Sequence, residues 1–295
     1  MKLGLDIGGT KTQAVLVDDN NTIATRVRVE TRSGEAELIA MIVRLVERLL
    51  QESPVTVESL GIGIPGVVDS RSGHVIHAVN LDVADLALAE VIQRATGLPV
   101  RVENDVKAAA LGAWHVVNVT GSLAYLNLGT GVAAGIVVDG TLWRGSRGGA
   151  GEIGHLTLDA TGLRCRCGQR GCIETVASGG GIAQWWAART SIPALDLFDR
   201  ADAGEATAMA ARSHVAIGVA TAVRILALTV DVTTIVLGGG LSQLGERLLG
   251  PVREVLREAE ASSPFLASLA LAERIRIVTP DPGIAALGAA LVGQR

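Results

Sequence analysis

All three cysteines of this chain, Cys165, Cys167 and Cys172, fall within eight residues, and His155 lies ten residues upstream of the first. Three thiolates and one imidazole are the composition of a closed tetrahedral zinc site. Gly168 and Gly171 let the chain double back so that sulfurs close in sequence can meet at one ion. The competing reading is a disulfide with a spare thiol. The chain opens on a strand-like Lys2-Leu3-Gly4-Leu5 without a signal-peptide pattern, so a reducing, cytoplasmic compartment is expected, and zinc is the preferred reading. Glu152 stands three residues before the histidine and Glu174 two residues after the last cysteine. One ion would thus hold an imidazole and two carboxylates in a fixed relation, a template for a ligand pocket.

A second group of residues suits phosphates. Asp6-Ile7-Gly8-Gly9-Thr10-Lys11 puts a carboxylate at a strand end, then bare backbone able to turn N–H groups toward an anion, then a hydroxyl and an ammonium. The aspartate suits Mg²⁺ reached through water. Gly129-Thr130-Gly131 repeats the loop without the charge, and Gly238-Gly239-Gly240 ends a strand where bare backbone lets a flat adenine or ribose approach. None of these is a Walker A or Rossmann sequence. Paired at equivalent points of a repeat, the first two are a means of clamping ATP. Phosphoryl transfer also needs a group to take the hydroxyl proton. Asp105, after Val100-Arg101-Val102-Glu103-Asn104, sits where a strand gives way to a helix and is the best candidate base. The alternative is that Asn104 caps this helix and Asp105 complements its dipole.

The elements that must position these groups follow an internal repeat. Strands at Leu3–Asp6, Ala14–Val17 and Thr22–Val29 match strands at Leu123–Asn127, Gly135–Val138 and Thr141–Trp143. Asp6 to Asp18 and Asn127 to Asp139 span the same twelve residues, and Asp139-Gly140 reads as a hairpin turn. Helices are expected over 35–52, 85–96, 206–228 and 284–292, with further strands at 60–64, 100–103, 234–237 and 275–278. At 295 residues, with 48% apolar residues and a net charge of −4, the chain has room for two domains and lacks the basic balance of a nucleic-acid binder. Its most apolar run, 215–230, is interrupted by Arg224 and reads as a buried helix, so no membrane partner is expected.

Together these motifs resemble the ROK family of sugar kinases and related repressors, within the actin and hexokinase-like ATPases. The likeness runs over nearly the whole chain, through Asp6–Lys11, Gly63-Ile64-Pro65-Gly66, Glu103-Asn104-Asp105, Gly129–Gly131, Gly151-Glu152-Ile153-Gly154-His155, Cys165–Glu174 and Gly238–Gly240. It implies an α/β fold of two lobes with a duplicated sheet-and-helix domain and a structural zinc site. The expected division is a small domain over 1–117, onto which a C-terminal helix over 283–295 can pack back, and a larger one over 118–282. By the same resemblance Asp105 is the base for a sugar 6-hydroxyl. Gly66, Asn80, Asn104, Glu152, His155 and Glu174 bind the sugar, and His155, Cys165, Cys167 and Cys172 bind Zn²⁺. Asp6, Gly8, Gly9, Thr10, Lys11, Gly129, Thr130, Gly131, Gly238, Gly239 and Gly240 bind the nucleotide, with Mg-ATP as donor and polyphosphate as the alternative.

The chain departs from the family pattern at Val83, where an aromatic is common, at Val132-Ala133-Ala134, which replaces a more glycine-rich continuation, and at Lys107, in place of a small or amide side chain. These bear on substrate preference. Glucose is the leading substrate. The alternatives are N-acetylmannosamine or N-acetylglucosamine, or a sugar sensor without turnover. A family repressor would need a winged helix ahead of Asp6, and only five residues precede it. The expected partners are sugar and nucleotide, with a homodimer or higher homo-oligomer as the assembly.

Overall fold

The computed structural model describes residues 1–278 and 283–294. Its strands are β1 (Lys2–Ile7), β2 (Lys11–Val17), β3 (Ile23–Glu30), β4 (Ser59–Ile64), β5 (Val67–Asp69), β6 (His74–Ala78), β7 (Val83–Leu86), β8 (Val100–Asn104), β9 (Ser122–Leu128), β10 (Val132–Val138), β11 (Thr141–Leu142), β12 (Thr234–Gly238) and β13 (Ile275–Ile277). They form two five-stranded sheets, in the orders β3-β2-β1-β4-β8 and β11-β10-β9-β12-β13, and a three-stranded sheet β5-β6-β7. The two larger sheets are the same arrangement written twice. In the first, β1 runs parallel to β4 and pairs Asp6 with Gly63; in the second, β9 runs parallel to β12 and pairs Asn127 with Gly238. The repeat seen in the sequence is therefore a repeat of strand order and register.

Pattern explains the individual strands. The central strands β4 and β12 are buried along their whole length, as continuous apolar runs between covered faces must be. The edge strand β3 alternates half-buried and exposed residues and sets Arg26, Arg28 and Glu30 outward, which discourages pairing with another chain. Asp139 and Gly140 both have positive φ, 47° and 72°, the type I′ geometry that suits a two-residue hairpin.

The chain divides into two compact units, one of Met1–Asn118, Gly135–Ala150 and Asp281–Arg295, the other of Val119–Ala134 and Gly151–Pro280. The domain boundary expected at 282 lies outside the described residues, as does Arg295. In the first unit, the helix Glu35–Glu52 buries Leu38, Met41, Ile42, Leu45, Val46 and Leu49, one stripe of a 3.6-residue period, against the sheet residues Leu3, Leu5, Leu60 and Ile62. The small-residue helix Ile284–Gly293 comes so close to the sheet and to the helix Asp105–Val117 that side chains would not fit. A Cβ on Gly61 would lie 1.8 Å from the Ala289 carbonyl oxygen, and one on Gly288 1.8 Å from that of Ala108.

The second unit is built around the helix Ala206–Val230. It is long and apolar enough to cross a membrane by length and composition, yet half of its most apolar stretch is buried. It packs against the helices Glu174–Ala177, Pro193–Asp202 and Glu246–Ser262, as the core helix of a globular unit does. One expected helix is shorter than its pattern. The segment from Asp85 joins a strand first, because Val83 and Leu86 are buried in β7 while Asp85 faces out to His74 at 2.9 Å; the helix begins at Leu88.

Candidate functional site

In the first unit the chemistry-bearing residues gather at the carboxyl ends of parallel strands, the usual place for ligands in open α/β sheets. Asp6 of β1, Gly63 of β4 and Glu103 of β8 lie in one row of the ladder. Asn104 and Asp105 follow, where β8 becomes the helix Asp105–Val117. The expected cap is present where the strand gives way to the helix. The Asn104 Oδ1 accepts the Val106 and Lys107 N–H groups at 3.1 and 3.2 Å as a helix cap, and its Nδ2 donates to the Gly66 carbonyl at 3.3 Å. Asp105 begins the helix, half-buried, with Oδ1 accepting the Val106 N–H at 2.9 Å. Gly66 sits at φ 111°, and a Cβ there would meet Ala78 at 3.0 Å, so only glycine fits. Asn80 is exposed in the short helix Val79–Leu81, its Cβ 3.4 Å from where a Cβ of Gly9 would lie.

The first glycine loop is closed by a hydrogen bond from the Gly8 N–H to the Lys11 carbonyl at 3.0 Å, and leaves Gly9, Thr10 and Lys11 exposed. Its bracing was not legible in the sequence. The Thr31 hydroxyl donates to the Gly8 carbonyl at 2.7 Å and shares a bond of 2.9 Å with the Thr12 hydroxyl, both threonines being buried. Pairing of β2 with β3 brings them together across nineteen residues of sequence, so no short-range signal marks them.

The second unit holds the matching loop. The Gly129 N–H bonds to the Gly131 carbonyl at 3.0 Å, and Thr130 is exposed. A further glycine run, Gly179-Gly180-Gly181, supports this loop from beneath. The Gly179 and Gly180 N–H groups donate to the Gly129 and Thr130 carbonyls at 2.8 and 3.2 Å. At the end of β12 the three glycines differ. Tyr125 fills the space over Gly238, where a Cβ would lie 1.9 Å from its hydroxyl; Gly239, at φ 79°, lies against Asn127 and Gly129; only Gly240 faces open space.

The metal-ligand set is also within the second unit. One ligand atom from each of His155, Cys165, Cys167 and Cys172 lies within 4.8 Å of the others. The Cys167 and Cys172 sulfurs are 3.7 Å apart, and the His155 Nδ1 lies 3.8 Å from the Cys165 sulfur. Disulfide sulfurs sit at about 2.0 Å, so no cysteine pair is bonded. Zinc–sulfur bonds of about 2.3 Å in a tetrahedron put neighbouring sulfurs about 3.8 Å apart, and the donor set fits such an ion. Local turns make the set. Gly168 and Gly171 have φ 96° and 65°, and a Cβ on Gly171 would overlap the Asp159 carbonyl oxygen at 1.5 Å. The thiols are unequal: hydrogen bonds from the Gln169 backbone and side chain hold Cys167 down to about 6, whereas burial pushes Cys172 up to about 12 and raises Cys165. His155 stands on the short helix Ile153–His155, next to the exposed Glu152. Glu174, expected to bind sugar, has its Oε2 on the Val132 N–H at 3.1 Å.

Two cations join the surroundings of the candidate base: Arg144, which no sequence signal marks, and Lys107, expected to bear on substrate preference. Arg144 donates from Nε to the Glu103 Oε2 at 2.7 Å, and Glu103 is only 2% exposed. Its Oε1 accepts the Asn104 N–H at 3.0 Å. The buried Lys107 ammonium donates to the Gly148 carbonyl. The glycine-rich segment 144–150 is thus pinned by both cations to the turn that carries Asp105.

A duplicated α/β sheet, with glycine loops after equivalent strands, places the chain among actin and hexokinase-like folds. Comparison then narrows the class: the model of the ROK family matches residues 2–282. The chain belongs to the ROK family. It is 33% identical over 276 residues to a glucokinase of Halalkalibacterium halodurans, covering 85% of this chain and 84% of that protein. It is 33% identical over 298 residues to an N-acetylmannosamine kinase of Citrobacter koseri, covering 99% and 98%. A crystal structure of a ROK family glucokinase from Streptomyces griseus in complex with glucose and AMPPNP superposes with a TM-score of 0.80 at 28% identity, covering 99% of each chain.

Proposed function

We propose that this chain is an ATP-dependent sugar kinase that phosphorylates a hexose at its 6-hydroxyl, with glucose the leading substrate. The observation that carries the reading is the turn at Asp105. A carboxylate stands at the carboxyl edge of parallel strands, beside Asn104 and Gly66 and two residues beyond the row that contains Asp6. Family membership and a relative structure that holds glucose together with AMPPNP support the assignment.

In this reading Asp105 accepts the proton of the 6-hydroxyl as that oxygen attacks the γ-phosphorus, and the bond from that phosphorus to the bridging oxygen breaks to release ADP. A carboxylate in that place can accept the hydrogen bond of the hydroxyl and then its proton. Gly66, Asn80 and Asn104, with Glu152, His155 and Glu174, orient the sugar hydroxyls. The loops at Gly8–Lys11 and Gly129–Gly131 and the glycines Gly238–Gly240 receive the nucleotide. Asp6 would hold the Mg²⁺, which would neutralise phosphate charge. His155, Cys165, Cys167 and Cys172 would hold zinc, whose contribution is to fix the loop and the direction of the imidazole. With Nδ1 on the thiol side, Nε2 is left for the sugar.

The second reading, an N-acetylhexosamine kinase acting on N-acetylmannosamine or N-acetylglucosamine, is favoured by the Citrobacter koseri relative, which matches over 99% of this chain. A coupled ADP-release assay across glucose, mannose, fructose, N-acetylglucosamine and N-acetylmannosamine separates the two. The highest kcat/KM is expected for glucose. No ADP release with any sugar and ATP, and no sugar phosphate formed with any sugar and polyphosphate, would leave only the sensor reading.

A further inference from the structure

The residue that opens β10, Val132, is held from two directions by the segments that carry the metal ligands. On one side the Glu174 Oε2 accepts its N–H at 3.1 Å, two residues after Cys172. On the other, Gly154 of the His155 turn approaches so closely that a Cβ there would lie 2.0 Å from the Val132 carbonyl oxygen. Gly131 is bare for the same reason: a Cβ on it would meet the Glu174 Oε2 at 2.5 Å. The other Glu174 oxygen, Oε1, lies 3.7 Å from the Cys165 sulfur. Beyond Glu174 the same stretch supplies the Gly179 and Gly180 N–H groups to the Gly129 and Thr130 carbonyls. Every residue from Gly129 to Val132 therefore touches a segment that begins at a metal ligand or surrounds one.

We infer that Glu174 is a positioning residue for the second glycine loop, tying it to the Cys₃His centre so that metal occupancy and nucleotide affinity are linked. This rests on the nucleotide role proposed for Gly129–Gly131 and goes beyond the sugar contact expected of Glu174. The physical basis is the cost of holding a loop. Four residues at Gly129–Val132 include two glycines, which lose the most conformational freedom on ordering. A charge-assisted bond to the Val132 N–H holds them only if the carboxylate is itself fixed, and the metal-bearing turn next to it supplies that fixity. By accepting the Val132 N–H, Glu174 also reserves that donor, leaving the Thr130 and Gly131 N–H groups for an anion.

Two readouts test the tie. Amide hydrogen exchange on the zinc-loaded protein should show loss of protection over 129–134 in Glu174→Ala, a smaller loss in Glu174→Gln, which keeps an acceptor, and no change over 8–11. Calorimetric titration with Mg-ADP should show binding about tenfold weaker in Glu174→Ala at unchanged zinc content. Chelation of the wild-type metal should weaken Mg-ADP binding in the same direction and expose 129–134 to exchange, which guards against a misfolded variant. Wild-type exchange at 129–134 after both Glu174→Ala and chelation would overturn the tie. Normal Mg-ADP affinity with weakened sugar binding would overturn the linkage and return Glu174 to the sugar alone. A wild-type chain that binds neither ATP nor ADP would defeat the kinase reading and the linkage with it, whereas the exchange data would still judge the tie.

Discussion

The two glycine loops occupy equivalent places in equivalent sheets, yet they are built from opposite materials. Each follows a strand whose second-last residue is polar, Asp6 in one and Asn127 in the other, and each is closed by a hydrogen bond from its first glycine. Counting from those residues, Lys11 falls on Val132. Lys11 is exposed and carries its own charge outward; Val132 is 3% exposed and takes a carboxylate onto its N–H. The first loop is braced from below by neutral hydroxyls, the second by Glu174 and the backbone of Gly179 and Gly180. Duplication thus preserves strand order and register, whereas the charges are distributed anew. The first loop faces solvent with the charge of Lys11, and the second is held by residues of the segment that follows the Cys₃His set.

The comparison is broken most severely by removing that segment's anchor. Cys167→Ser should lose the metal and the activity together, from a starting content of about one zinc per chain. Elemental analysis alongside the coupled assay reads both; active protein without zinc would sever the second loop from any metal. Next in size is Asp105→Asn, which keeps the Asn104 cap and most sugar affinity and should lose a factor of roughly 10²–10⁴ in kcat. Near-normal turnover would move the base elsewhere. Because Asp105 lies in the first unit and the cysteines in the second, circular dichroism and zinc content should stay normal in Asp105→Asn.

How much of this was legible in sequence follows from the range of each interaction. The helix Glu35–Glu52 and the hairpin at Asp139-Gly140 were read correctly, because periodicity and turn chemistry are local. The grouping of His155 with the three cysteines was equally plain, since the cysteines are close in the chain. Strand order was not, because parallel pairing such as that of β1 with β4 joins residues more than fifty apart. The same holds for the Thr12–Thr31 brace and for Arg144 on Glu103, which only the folded sheet juxtaposes. Tyr125 over Gly238 is a further case: pairing of β9 with β12 brings its hydroxyl to 1.9 Å from where a Cβ of Gly238 would lie, and no local pattern announces that neighbour.

Smaller effects sharpen the comparison. Valine at Gly9 or at Gly129 should weaken ATP binding about tenfold while zinc content stays normal, since both put a side chain where backbone N–H groups would meet phosphate. The two should differ in tolerance. A Cβ at Gly9 finds Asn80 at 3.4 Å, an ordinary contact, whereas one at Gly129 meets Asn127 at 3.2 Å, so Gly129→Val should also lower the melting temperature. The polar residues ahead of the loops offer a cleaner contrast. Asp6→Ala should make the ATP KM strongly dependent on added Mg²⁺, and Asn127→Ala should not; equal dependence would mean the repeat is architectural only.

The smallest effect expected concerns the hydroxyl brace of the first loop. Thr31→Val keeps the shape of the side chain but removes the donor to the half-buried Gly8 carbonyl and the partner of the buried Thr12 hydroxyl. An unmet buried polar group costs about 1–3 kcal/mol, so the denaturant midpoint should fall by an amount in that range with an unchanged m-value. Gly8 is closed independently by its N–H bond to Lys11, so the ATP KM should rise by less than it does in Gly9→Val. Thr31→Ser, which restores the hydroxyl, should recover most of the stability. If Thr31→Val instead raised the ATP KM as much as Gly9→Val at full stability, the threonines would be shaping the loop for its ligand, and the contrast between a self-charged and a braced loop would fail.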